Sequence, residues 1–121
     1  MPLRILIVDD SPVICSLLAD AFSKLGHLVV AQVGSVPEAI QTYRYHQPDL
    51  VVLDISLIDG NGLAVLKEIR STNDKTKVII ITSNGQQRIQ EEVMAAGDCT
   101  FLFKPFGFDQ ISSALKSLSV T

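Results

Sequence analysis

The sequence predicts an α/β fold, (βα)5, in which a doubly wound five-stranded parallel sheet is covered by helices on both faces. Five short aliphatic runs have the composition of strands that are buried on both faces. Amphipathic segments with helical periodicity follow these runs, and repeated strand–helix pairs with short connections produce a parallel sheet. The runs are Leu3–Val8, Leu28–Val33, Leu50–Leu53, Val78–Ile81 and Thr100–Phe103.

The predicted helices have recognisable ends. Ser11-Pro12 is typical of an N-cap followed by proline at the first helical position, and Gly26 ends that helix. Ser35 and Glu38 have the spacing of a capping box at the start of the second helix. The predicted apolar stripes are Val13, Leu17, Leu18, Ala21, Phe22 and Leu25; Ala39, Ile40 and Tyr43; Leu63, Leu66 and Ile69; Ile89, Val93 and Ala96; and Phe108, Ile111, Leu115 and Leu118.

Length and composition exclude several classes of protein. The chain has 121 residues, so we expect a single domain over residues 1–121. Apolar residues make up 47% and charged residues 19%, a balance that argues against disorder. The net charge of −3 argues against direct nucleic-acid binding. No apolar run reaches the roughly 18 residues of a membrane span, no export signal is present, and Cys15 and Cys99 form no close-spaced motif. We therefore expect a reduced, cytoplasmic protein without membrane insertion.

Polar side chains follow four of the five predicted strands. Asp9 and Asp10 follow the first strand, Asp54 the third, Thr82 the fourth and Lys104 the fifth. In open α/β sheets the functional site lies outside the carboxyl ends of the strands, at the topological switch point. With the strand order 2-1-3-4-5, the first and third strands are neighbours. The three carboxylates would then converge on one crevice, flanked by Thr82 and Lys104.

In this crevice three carboxylates outweigh one ammonium group. Two unit charges about 4 Å apart repel by about 4 kcal/mol at an effective dielectric constant near 20. Either one carboxyl group is protonated or a cation is bound. A hard divalent cation, Mg²⁺ (or Mn²⁺), suits oxygen ligands and also accepts phosphate oxygens.

A carboxylate beside such a cation and a lysine suggests phosphoryl transfer. A carboxylate can attack phosphorus and form an aspartyl phosphate, while the metal and the lysine neutralise the charge on the phosphoryl oxygens. Asp54 is the best candidate for the nucleophile because it stands alone, whereas Asp9 and Asp10 can hold the metal as a pair. Each residue alone has an ordinary structural explanation, such as a helix cap or a surface lysine. Their occurrence together, at four strand ends, indicates function.

The chain resembles the receiver domain of two-component response regulators over essentially its whole length. The segments that carry the resemblance are Ile7-Val8-Asp9-Asp10-Ser11, Leu53-Asp54, Asp59-Gly60-Asn61-Gly62, Ile81-Thr82-Ser83 and Phe103-Lys104-Pro105-Phe106. The resemblance implies a flavodoxin-like receiver fold and a phosphoprotein that acts as a signalling switch, not a dedicated enzyme. One departure is Ile58, where many family members carry proline, and it should not affect phosphorylation.

The resemblance also implies a role for each matching residue. The phosphoacceptor is Asp54; the metal ligands are Asp9, Asp10, Asp54 and the backbone carbonyl of Ser56; the phosphoryl-binding and switch residues are Thr82, Lys104 and Phe101; and the peptide bond between Lys104 and Pro105 is cis. Family members often carry tyrosine where this chain has Phe101. The phenylalanine can still change rotamer, but it has no hydroxyl group.

The partners implied by the resemblance are a phosphoryl donor and a downstream protein target. The donor is a histidine kinase or a histidine phosphotransfer domain. The target responds to the face built from the fourth helix, the fifth strand and the fifth helix. The expected kinase-facing residues are Val13, Ile14, Leu17 and an exposed Phe106, although Leu17 also fits a core position. We expect a monomer or a phosphorylation-linked dimer.

Other protein classes fit the sequence less well. A haloacid-dehalogenase-type phosphatase needs Asp-x-Asp after the first strand, where this chain has Ser11 as the third residue. A flavodoxin-like electron carrier needs a phosphate loop rich in hydroxyl groups and glycine, and Asp9-Asp10 would repel the FMN phosphate. A P-loop NTPase needs a glycine-rich lysine motif that is absent. Among receivers, a stand-alone protein is favoured. The alternative is a receiver cut from a longer regulator with a DNA-binding or enzymatic output domain.

Overall fold

The computed structural model describes residues 2–55, 62–72, 75–82 and 99–118. The strands are β1 (Arg4–Val8), β2 (Leu28–Val33), β3 (Leu50–Asp54), β4 (Lys77–Thr82) and β5 (Cys99–Phe103). The helices in the described ranges are α1 (Pro12–Lys24), α2 (Val36–His46), α3 (Leu63–Thr72) and α4 (Phe108–Leu118), the last being the fifth helix of the sequence-based prediction. The predicted fourth helix, Ser56, Ile58, Asp59-Gly60-Asn61 and Ser83 lie outside the described residues.

The five strands form one parallel sheet in the order β2-β1-β3-β4-β5, which confirms the predicted order. β1 and β3 are adjacent, and Val8 pairs with Leu53. The residues that follow Val8 and Leu53, namely Asp9 and Asp54, therefore lie side by side at the carboxyl edge of the sheet. This adjacency is what brings the acidic residues of two distant chain segments to one edge.

Hydrophobic clusters cover both faces of the sheet, as a doubly wound fold requires. Alternate residues of a strand point to opposite faces, so Leu6 and Val8 pack with α2 and α3, while Ile5 and Ile7 pack with α1 and α4. β3 and most of β4 are fully buried, which agrees with their nearly continuous aliphatic sequence. None of the helices in the described part of the chain is long and apolar enough to cross a membrane.

The predicted helix starts are confirmed. The Ser11 hydroxyl accepts a hydrogen bond from the Ile14 N–H at 3.3 Å, with Pro12 in the first turn. The Ser35 hydroxyl accepts a bond from the Glu38 N–H at 3.3 Å and donates to Glu38 Oε1 at 2.9 Å. Both helices thus begin directly after a strand, at the edge of the sheet where the acidic residues lie.

The apolar stripe predicted for α1 is wrong at two positions. Val13 is 76% exposed and Leu17 is 36% exposed, whereas Cys15 and Phe22 are buried. With about 100° of rotation per residue, Val13 and Leu17 lie on the side of the helix opposite Cys15 and Phe22. The buried face of α1 consists of Cys15, Leu18, Ala21 and Phe22. Periodicity alone did not distinguish the two apolar faces.

Candidate functional site

The carboxyl ends of four strands hold the polar residues that the sequence analysis singled out. Asp54 and Thr82 are the last residues of β3 and β4, not the first residues after them. The parallel hydrogen-bond ladder continues beyond the strands: the Asp9 N–H donates to the Val33 carbonyl, and the Lys104 N–H donates to the Thr82 carbonyl, both at 2.9 Å. The backbone of these residues is therefore fixed by the sheet itself.

Three carboxylates converge at this edge. Asp9, Asp10 and Asp54 each offer a carboxylate oxygen, and these oxygens lie within 4.8 Å of one another. Asp9 and Asp54 are buried, while Asp10 is exposed. The cluster is thus open to solvent on the Asp10 side and closed on the side of the sheet.

A lysine ammonium group reaches into the cluster. Lys104 Nζ lies 3.4 Å from Asp54 Oδ2, and the lysine side chain is 35% exposed. The peptide bond between Lys104 and Pro105 is cis. Among the described residues, one cation faces three carboxylates, so this part of the site has an excess of negative charge.

Asp9 is a buried carboxylate at the centre of this site's electrostatics. Its Oδ1 accepts the Ser11 N–H at 2.8 Å, whereas its Oδ2 is buried and has no hydrogen-bond partner among the described residues. Burial raises the pKa of Asp9 above its usual range; the charges of Asp54 and Asp10 act in the same direction, while the Ser11 N–H and Lys104 oppose them. A buried carboxylate oxygen without a partner is destabilising unless a cation or a proton satisfies it.

These residues fit a hard divalent cation. The donor atoms of the cluster are all carboxylate oxygens, the ligand type that Mg²⁺ prefers in proteins, usually with several waters retained. Asp9 Oδ2 has no partner in the described part of the chain and thus supplies a free ligand position there. The predicted backbone ligand, Ser56, lies outside the described residues.

Thr82 and Phe101 occupy neighbouring strands beside the cluster. Ile81 is the register partner of Asp54, so Thr82 lies one residue further along β4. Thr82 is buried. Phe101 is half-buried and packs against the hydrophobic core beneath α2 and α3. The Phe101 ring stacks on Phe103, with 6.0 Å between the ring centroids. The exposed Phe103 was not singled out as a site residue, although its position two residues after Phe101 places it on the same face of β5.

The four predicted kinase-facing residues differ in exposure. Val13 and Leu17 are exposed, so the alternative of a core position for Leu17 is wrong. Ile14 and Phe106 are only partly buried and pack against the core cluster beneath α1 and α4. The expectation of an exposed Phe106 is therefore wrong in part, because the ring turns back toward the core after the Lys104–Pro105 turn.

Two further contacts near the cluster were not predicted. The Cys15 thiol donates to the Asp9 carbonyl at 3.4 Å, and Gly34 packs directly on the backbone of Asp10. Burial, followed by the charges of Asp9 and Asp10, raises the pKa of the Cys15 thiol. The sequence offers one weak signal for Gly34, a glycine placed directly after the aliphatic run Leu28–Val33.

The sequence-family model of the response regulator receiver domain matches residues 5–116 of this chain. The chain belongs to the response regulator receiver domain family. It is 35% identical over 112 residues to the chemotaxis protein CheY of Bacillus subtilis, covering 93% of this chain and 93% of that protein. A chain in the crystal structure of the CheX–CheY–BeF3–Mg²⁺ complex from Borrelia burgdorferi superimposes with a TM-score of 0.92 at 27% identity, covering 100% of this chain and 92% of that one.

Longer receiver proteins match as well. The transcriptional regulatory protein PdtaR of Mycobacterium tuberculosis is 28% identical, and the match covers 96% of this chain but 56% of that protein. The chain is thus similar both to chemotaxis proteins of its own length and to the receiver part of transcriptional regulators. Its family is one of signalling receivers in two-component systems.

Proposed function

We propose that this receiver accepts a phosphoryl group on Asp54 with the help of Mg²⁺ (or Mn²⁺) bound by Asp9, Asp10, Asp54 and the Ser56 carbonyl. The observation that carries the proposal is the cluster itself: three carboxylate oxygens lie within 4.8 Å of one another, and Lys104 Nζ lies 3.4 Å from Asp54 Oδ2. When bound, the metal neutralises negative charge on the phosphoryl oxygens.

Asp54 suits the role of nucleophile better than its two neighbours. Asp9 Oδ1 is held by the Ser11 N–H, and burial disfavours the ionised form of Asp9. Asp10 is exposed and lies just before α1. Asp54 ends the central strand β3 and contacts the ammonium group that would also face an incoming phosphoryl group.

The phosphoryl donor is a phosphohistidine of a histidine kinase or a histidine phosphotransfer domain. A carboxylate oxygen of Asp54 attacks the phosphorus, a new O–P bond forms and the P–N bond to the imidazole breaks. The imidazole nitrogen leaves with the electron pair and takes up a proton. Lys104 compensates charge on the phosphoryl oxygens, an electrostatic role that dominates phosphoryl transfer. Val13 and Leu17, exposed on α1 close to Asp10, offer the donor an apolar contact surface.

Phosphorylation then changes the β5 side of the molecule. The phosphoryl oxygens attract the Thr82 hydroxyl, and the displaced Thr82 side chain leaves space for Phe101. A change from 1:99 to 99:1 between two states requires about 5.5 kcal/mol of differential interaction. The signal consists of a shift in the populations of two states, as in other ligand-driven switches.

A groove of about 470 Å³ lies on this side, between β5 and α4. Phe101, Phe103 and Pro105 form its apolar wall, and Ser113 and Ser117 lie on the opposite wall. None of its described lining residues is charged. The groove therefore suits a downstream protein that presents an uncharged segment, with apolar contacts to Phe101 and Phe103 and hydrogen bonds to the two serines.

The test is the intact mass of the protein after incubation with Mg²⁺ and acetyl phosphate, in parallel with Asp54→Asn. One phosphoryl group on the wild type, and none on the variant or on the wild type in EDTA, supports the proposal. Undiminished labelling of Asp54→Asn would overturn it. A phosphatase of the haloacid-dehalogenase type receives no support, because Ser11, which stands in place of the second Asp of that motif, caps α1.

A further inference from the structure

We propose that Gly34, in the connection between β2 and α2, is a positioning residue that fixes Asp10 relative to the other two carboxylates. The inference rests on the proposed magnesium site and deepens it. Gly34 has no side chain that could touch a ligand. It acts through the space it leaves for the backbone of Asp10.

The approach of Gly34 to the acidic segment is close. A Cβ atom at this position would lie 3.3 Å from Asp10 Cα, 3.6 Å from the Asp9 carbonyl oxygen and 3.7 Å from Asp10 Cβ. The nearest of these neighbours is a backbone atom and cannot rotate away as a flexible side chain can.

Asp9 cannot absorb the displacement. Its N–H donates to the Val33 carbonyl, its carbonyl accepts the Cys15 thiol, and its Oδ1 accepts the Ser11 N–H. Asp10 is exposed and is the outermost of the three acidic residues. We therefore expect a methyl group at position 34 to displace Asp10 relative to Asp9 and Asp54 and to change the geometry of the ligand set.

The effect of a substitution at Gly34 is steric and does not come from backbone strain. Among the described glycines, Gly26 alone has a positive φ, 86°, so alanine is compatible with the backbone of Gly34. At a compatible position, Gly→Ala commonly stabilises a protein by restricting the unfolded chain. If Gly34 did not position Asp10, alanine at position 34 would therefore leave Mg²⁺ binding unchanged.

Gly26 provides the matched control. A Cβ atom there meets no described atom within 4 Å, but the positive φ makes alanine unfavourable. Gly26→Ala should therefore lower stability and leave the metal site unchanged. The pair of variants separates loss of stability from loss of ligand geometry.

The experiment measures the dissociation constant of Mg²⁺ by calorimetric titration for the wild type, Gly34→Ala and Gly26→Ala, and their stability by urea denaturation in EDTA. We expect Gly34→Ala to weaken Mg²⁺ binding about tenfold, the lower end of the effect seen when residues supporting metal ligands are replaced, and to remain folded in EDTA. Gly26→Ala should bind Mg²⁺ with the wild-type constant and be less stable.

Equal Mg²⁺ constants for the wild type and Gly34→Ala would overturn the proposal. A Gly34→Ala protein that does not fold in EDTA would also overturn it, since Gly34 would then be required for folding. Absence of Mg²⁺ binding by the wild type would overturn the proposed function and this inference together. Normal wild-type binding with no effect of Gly34→Ala overturns the inference alone.

Discussion

Lys104 Nζ lies 3.4 Å from Asp54 Oδ2, although the two residues are 50 positions apart in the chain. Asp54 ends β3 and Lys104 follows β5, so the lysine side chain reaches across the end of β4. A long, flexible side chain is needed to span this distance and place a charge beside the carboxylate. The contact links the proposed phosphoacceptor directly to the strand that carries Phe101.

Lys104→Gln should slow phosphorylation of Asp54 by acetyl phosphate about tenfold. Removal of one hydrogen-bond donor from a buried oxyanion site typically lowers the reaction rate about a hundredfold or more. Lys104 is partly exposed, so solvent screening makes the expected effect smaller. The rate is read from intact mass against time. Lys24→Gln, which removes an exposed partner of Asp20, is the control and should label at the wild-type rate. An unchanged rate for Lys104→Gln would contradict the assigned role.

Asp9→Asn should raise the free energy of unfolding of the metal-free protein near neutral pH. The folded protein raises the pKa of Asp9 above its ordinary value of 3.8, mainly through burial. Over the pH range between the unfolded and folded pKa values, the folded state binds more protons, so stability falls as the pH rises through that range. The stability contributed by protonated Asp9 is fully present below the unfolded pKa.

The measurement is urea denaturation in EDTA as a function of pH. The stability gained by Asp9→Asn should shrink as the pH is lowered from neutral through the folded pKa of Asp9 to its unfolded value of 3.8. Asp20→Asn, at an exposed position on α1, should show no comparable pH-dependent gain. A less stable Asp9→Asn protein near neutral pH would show that the partnerless Oδ2 is not a source of instability.

Val13→Asp should slow phosphotransfer from a phosphorylated histidine kinase that labels the wild type, by about tenfold if Val13 is a central contact. Labelling by acetyl phosphate should change much less, because Val13 is 76% exposed and lies outside the acidic cluster, where solvent and salt screen the new charge. Leu28→Asp is the matched control: Leu28 is 58% exposed but begins β2, at the opposite edge of the sheet. Equal transfer rates for both variants would exclude α1 as the donor-facing surface.

Tyr43→Phe should destabilise the protein without affecting phosphorylation. The Tyr43 hydroxyl and the Thr76 hydroxyl form a buried hydrogen bond of 2.8 Å at the edge of the sheet opposite the acidic cluster. Leaving one buried partner unsatisfied costs about 1–3 kcal/mol. Urea denaturation and acetyl phosphate labelling measure the two effects. A loss of labelling in folded Tyr43→Phe would indicate a coupling between the two ends of the sheet that the proposed mechanism does not contain.

The sequence was sufficient to predict a structural feature where the interactions that form it are local, or where both faces of a strand are buried. Ser11 and Ser35 cap their helices through neighbouring residues, so their roles follow from spacing. The continuous aliphatic runs of β3 and β4 follow from burial on both sides. The convergence of Asp9 and Asp54 followed from strand order and polar strand ends.

The remaining features depend on tertiary packing. Val13 and Cys15 are both apolar in the sequence, and only the packing of α1 on the sheet decides which one is buried. Asp9 and Asp10 are chemically identical neighbours, yet the sheet buries one and leaves the other exposed. Gly34 matters through a contact with a segment more than twenty positions earlier, and no local pattern reports such a contact.

The most direct test of the central claim is to locate the phosphoryl group. The protein is labelled with acetyl phosphate and Mg²⁺, the acyl phosphate is reduced with borohydride, and the modified residue is identified by peptide mass spectrometry. The account predicts that the modification lies on Asp54 and disappears in Asp54→Asn. Modification of Asp9 or Asp10 in the wild type, with Asp54 unmodified, would contradict it.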